Sequence, residues 1–107
     1  MADPSDNSNE EIVVRLDPLI KDIVGDFLQR RRENASNILA ALAESDLETV
    51  DQIGHDLEGT AGAFGFSDMA ILGHSLQQAS KQSNPEEVKR LADELSDHLN
   101  HLKEVYK

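Results

Sequence analysis

A chain of 107 residues, 38% hydrophobic and 29% charged, with six Gly and three Pro, is long enough for one packed domain and too short for two stable cores. A formal net charge of −11 and a sparse set of aromatics (Phe27, Phe64, Phe66, Tyr106, no Trp) argue against nucleic acid and anionic membrane as partners, since polyanions are held by Lys and Arg and single strands by stacked rings. The absence of Cys excludes disulfides, thiol catalysis and Cys-ligated zinc; no apolar run approaches the roughly 20 residues that span a bilayer, and Met1-Ala2-Asp3-Pro4 does not resemble a signal peptide, so a cytoplasmic monomer is expected.

Residues 1–11 (MADPSDNSNEE) carry four acidic groups, no basic ones and few apolar ones. They read as a flexible acidic tail, with the domain occupying 12–107. At Asp17-Pro18 the pattern changes: Asp17 suits an N-cap, Pro18 the first helical position, and apolar residues recur at 20, 24, 27, 28, 31 (counting the stem of Arg31), 35, 38, 39 and 42. This is one long helix, or two with a break near Gly25. Ser45-Asp46-Leu47-Glu48 matches a capping box and opens a helix to about Phe64, where Gly65 supplies a left-handed stop. Ser67 is placed to cap a third helix with Met69, Leu72, Leu76 and Ala79 on one stripe. Asn84-Pro85 opens a fourth, with Val88, Leu91, Ala92, Leu95, Leu99, Leu102, Val105 and Tyr106 inward. No segment sustains period-two alternation and the linkers are short, which predicts an all-α, antiparallel four-helix bundle of up-down-up-down topology.

The second helix is the informative one. Leu47, Val50, Gly54, Leu57, Ala61 and Phe64 recur at alternating spacings of three and four, with Ile53 on the flank, so they form a buried stripe. His55 then lies roughly 130° from the centre of that stripe and faces solvent, with Gly59 and Gly62 following at i+4 and i+7 on the same face. Each helix-interior Gly costs about 0.5–1 kcal/mol relative to Ala, and packing inside the bundle gives no reason for glycines that face water. What they provide is clearance for another protein's surface beside an imidazole that is nucleophilic near neutral pH. An exposed helical His taken alone is most often an ordinary surface residue; the glycine face is what separates His55 from that background.

The segment His55-Asp56-Leu57-Glu58-Gly59-Thr60-Ala61-Gly62-Ala63-Phe64-Gly65-Phe66 resembles the signature of histidine-phosphotransfer (HPt) domains, His-x-apolar-Lys-Gly-small-small with a later Gly. The resemblance extends over about residues 16–106. It implies a four-helix bundle without catalytic activity of its own, whose His accepts a phosphoryl group from a receiver-domain aspartate or a kinase and passes it on. By position, His55 is the phosphoacceptor, Gly59 and Gly62 clear the docking face, and Gly65 belongs to the turn that closes the motif. The implied partner is the receiver domain of a response regulator or hybrid histidine kinase. That receiver carries the divalent metal, so neither a cofactor nor a metal site is implied here.

The chain departs from the family pattern three residues after the His, where Lys is common and this sequence has Glu58. A carboxylate there repels a phosphoryl group and favours the protonated, non-nucleophilic ring, and Asp51 at i−4 adds to the effect. The rival readings are a noncatalytic bundle that sequesters or tunes a receiver or kinase, and a structural bundle that self-associates. Elsewhere, His98 and His101 at i and i+3 lack the paired Glu-x-x-His motifs of metal-binding bundles, and His74 reads as a surface residue. Arg30-Arg31-Arg32 reads as a solvated basic island, with a docking contact as the second reading. Met69 reads as core, and Ser75 and Ser80 have no base at a nucleophile's spacing.

Overall fold

The computed structural model describes residues 12–106, so the acidic tail expected at 1–11 lies outside the described residues. Four helices dominate: α1 (Lys21–Ala43), α2 (Leu47–Ala63), α3 (Ser67–Lys81) and α4 (Pro85–His101). Consecutive helices pack on each other and α4 closes against α1. Gly54 on α2 lies against Leu76 and Gln77 on α3, and Glu58 against Gly73, so these two helices run antiparallel. The core between the helices is aliphatic, with Val24, Leu28, Ile38, Val50, Leu57, Met69, Leu76, Val88, Leu95 and Leu99 buried, as the helical periodicity requires. None of the described helices is long and apolar enough to cross a membrane.

α1 is continuous through Gly25, with no break there. It follows a short 3-10 turn, Pro18–Ile20, whose Leu19 amide donates to Asp17 Oδ1 at 2.9 Å. The three interhelix turns share one device. At each, a left-handed residue (Ser45, φ 58°; Gly65, φ 83°; Ser83, φ 52°) is followed by an amide that reaches back five residues: Asp46 N to Ala41 O, Phe66 N to Ala61 O and Asn84 N to Ala79 O, at 2.8, 2.8 and 3.0 Å. Ser45 is therefore the turn residue and not the cap. The cap of α2 is Asp46, whose carboxylate accepts from the Thr49 amide at 3.1 Å and from the Thr49 hydroxyl. Ser67 likewise does not cap α3; Phe66 holds the cap position, its side chain has no acceptor to offer an amide, and its ring is buried in the core. Asn84 caps α4 as expected, accepting from Glu87 N at 3.2 Å.

The fourth helix is shorter than its apolar repeat suggests. It stops at His101, and Leu102–Tyr106 forms a strand, β2, that pairs in parallel with β1 (Ile12–Leu16), Ile12 opposite Leu102 and Leu16 opposite Tyr106. Leu102, Val105 and Tyr106 were expected to extend the helical stripe. Extension gives this backbone a partner strand 90 residues away in sequence (102 against 12), and Leu102 still packs against the core.

Candidate functional site

α2 presents its apolar stripe inward: Val50, Gly54, Leu57 and Ala61 are buried, and Leu47, Ile53 and Phe64 are half-buried. The opposite face carries His55, Gly59 and Gly62, all exposed. His55 makes no hydrogen bond or ion pair among the described residues, so its ring is presented to solvent with both nitrogens open. A Cβ added at Gly59 or Gly62 would meet nothing within 4 Å, so neither glycine is required by packing. Gly65 supplies the left-handed residue of its turn, at φ 83°. At the head of the helix, the Thr49 hydroxyl and then its amide hold the Asp46 carboxyl below its ordinary value.

On the α1 side, the basic triplet divides. Arg30 and Arg32 are exposed, and Arg30 Nε pairs with Asp26 Oδ2 at 3.2 Å, as a solvated island would. Arg31 does not follow that expectation: it is only 5% exposed, with its guanidinium 5.0 Å from the centre of the Phe27 ring. Its Nη1 donates to Thr60 Oγ1 at 2.8 Å and to Asp56 Oδ2 at 3.2 Å, while its Nε is buried without a partner. The long methylene stem occupies an apolar position of α1, and the charge finds acceptors on α2 beside His55. Phe27 in turn packs on Phe64 and Phe66, ring centres 5.0 and 5.4 Å apart.

On the α3 side, Glu58 is half-buried and both of its oxygens are engaged. Oε1 accepts from Gln77 Nε2 at 2.7 Å, and Oε2 lies 3.2 Å from His74 Nδ1. Asp51, one turn before His55, lies beside Ser80 and Lys81, with its Oδ1 buried and unpaired. The two carboxylates singled out from the sequence as neighbours of the imidazole are thus placed along the α2–α3 seam.

Sequence reasoning counted the stem of Arg31 in the α1 stripe but not the acceptors of its charge, and passed over three other residues around this face. Gln77 is a polar side chain on a buried stripe, visible only as an interruption of the apolar pattern. Ile23 (57% exposed) and Ile71 (62% exposed) are the reverse, large apolar residues on polar helix faces. Ile23 borders a groove with Phe27, Arg31, Asp56 and Thr60, and Ile71 borders one with Glu58, Ala70 and His74. The His55 face is therefore flanked by an exposed isoleucine on either side.

The remaining candidates lie elsewhere. His98 is half-buried near Asp68 at the far end of α4, where burial lowers its proton affinity against the opposing pull of Asp68, Glu94 and Asp97. His101 Nδ1 lies 2.8 Å from Asp97 O. No group of three or more potential ligands able to hold a metal ion occurs among the described residues. Ser80 is buried and donates to Leu76 O at 2.9 Å, and Ser75 is half-buried. Met69 is fully buried.

Compared with known protein families, residues 22–104 match the model of the Hpt domain. No curated protein and no solved structure matches the chain.

Proposed function

The chain belongs to the Hpt domain family, and we propose that it carries phosphoryl groups in a two-component phosphorelay, accepting them on His55. The Hpt assignment itself makes it a histidine-phosphotransfer module of the kind that works with receiver domains. The observation that supports His55 as the acceptor is its placement: an imidazole on the solvent face of α2, free of internal partners, above two turns stripped of side chains at Gly59 and Gly62. In the proposed step the neutral ring attacks the phosphorus of a receiver's aspartyl phosphate through its outward nitrogen. A P–N bond forms, the P–O bond to the aspartate breaks, and the carboxylate leaves with the electron pair. The reverse step hands the phosphoryl group to a receiver. The divalent metal and acidic pocket belong to the receiver, so this chain contributes the nucleophile and the docking face and acts as a carrier in the cytoplasm, as a monomer.

Glu58 favours a second reading, a bundle that docks a receiver without accepting phosphate. One experiment separates them. A receiver domain carrying a radiolabelled aspartyl phosphate is mixed with the native chain and with His55→Gln. Label is expected on the native protein and absent from the variant, with unchanged circular dichroism. Label retained by the variant removes His55 from the role, and a native chain that binds the receiver without taking label establishes the docking module.

A further inference from the structure

Glu58 stands three residues after His55, one turn along the same helix, and a carboxylate free to rotate there would oppose a phosphoryl group bearing about two negative charges. The structure does not leave it free. α2 and α3 approach most closely at Gly54 and Gly73, where a Cβ on Gly73 would stand 2.6 Å from the Glu58 nitrogen. The next residue, His74, and Gln77 one turn later are thereby brought within side-chain reach of Glu58. Gln77 is 8% exposed, and its amide also lies 3.3 Å from Gly73 O, so it is a fixed donor. His74 Nδ1 lies 3.2 Å from the other oxygen on the solvent side, with more than half of the His74 side chain exposed, and pairs with it as an ion when the ring is protonated. An ion pair this exposed adds little to folding stability, so its consequence lies in where it puts the charge.

We propose that His74 is a positioning residue for phosphoryl transfer: by holding Glu58 against α3, it keeps that carboxylate off the phosphoryl group on His55. The proposal rests on His55 as the acceptor. Of the other carboxylates on this helix, Asp56 is held by Arg31, while Asp51 lines a cleft with Ser80 and Lys81 and its Oδ1 takes no hydrogen bond. His74 is the exposed, replaceable member of this arrangement.

The test compares the native chain, His74→Ala, Glu58→Gln and the double variant, with His55→Gln as the blank and phosphoramidate as the phosphoryl donor. Phosphohistidine formation at His55 and its lifetime are followed at two salt concentrations. His74→Ala is expected to lower both by about three- to fivefold at low salt, less at high salt, as for an exposed charge interaction. In the Glu58→Gln background the same change is expected to have no effect. A deficit that persists unchanged beside Glu58→Gln is structural and overturns the proposal, as does a His74→Ala variant that transfers like the native chain. The same proteins are also read without any donor: freeing Glu58 displaces the His55 ring resonances in NMR spectra, and the double variant returns them to their Glu58→Gln positions. If the native chain takes no label at His55, the acceptor reading fails by itself, and the ring resonances still decide whether His74 holds Glu58.

Discussion

Gly54 and Gly73 meet face to face: a Cβ on either would stand 2.7 Å from the carbonyl oxygen of the other. This contact sets the α2–α3 separation and so determines which side chains reach across beside His55. Backbone atoms cannot give way as a flexible side chain can. Gly54→Ala or Gly73→Ala is expected to destabilise the fold by about 1–3 kcal/mol, the usual cost of overpacking. Urea unfolding measures it, and a variant as stable as the native protein would show that the helices separate freely.

The glycines of the exposed face should behave in the opposite sense. Gly62→Gln places a side chain in open space and removes a helix-interior Gly, so stability is expected to hold or rise by up to about 1 kcal/mol. Binding of a receiver domain should weaken. Thermal melts beside a binding titration decide it; undiminished docking would remove the clearance role from Gly62.

Arg31 links α1 to the turn that carries His55. Arg31→Met keeps the apolar stem but removes the bonds to Thr60 and Asp56, and a loss of about 1.5–3 kcal/mol is expected, the range for hydrogen bonds to a charged group. Because Asp56 is largely exposed, its carboxylate returns to water and the loss stays moderate. A loss no larger in Arg31→Met than in Arg32→Met would show that the buried contact contributes nothing.

Ser45 and Ser83 occupy left-handed positions that Gly65 fills at the equivalent turn. An L-residue in that region costs about 1–2 kcal/mol, partly offset in glycine by the greater freedom of the unfolded chain. Ser83→Gly is expected to raise stability by up to about 1 kcal/mol, read from the shift in urea midpoint.

His98 gives stability a pH dependence. Burial holds its folded pKa below the ordinary 6.5, so at and below that value the unfolded chain binds more protons than the folded one. Its contribution is complete above 6.5, declines as pH falls towards the folded pKa, and levels below it. Asp46 and Glu87, whose folded pKa values lie below 3.8 and 4.5, lose their contributions only in a separate, more acidic window. Unfolding at pH about 7.5 and about 5.5 should therefore show a slope that His98→Asn removes. An equal slope in the variant would place its origin elsewhere.

The sequence by itself determined the four helices, the inward stripe of α2, the exposure of His55 and the stop at Gly65, because each follows from a periodicity or a cap written within a few neighbouring residues. The tertiary structure decided what crosses between helices. Arg31 is buried because Asp56 and Thr60 stand opposite it on α2 and accept its hydrogen bonds. Glu58 turns to α3 because Gly54 and Gly73 allow the helices close enough for His74 and Gln77 to reach it. Leu102–Tyr106 leaves the helical pattern because β1, far away in sequence, offers its backbone a partner. Local pattern fixes the direction in which a side chain leaves its helix, but its partner depends on the spacing and register of another element, which no window along the chain contains.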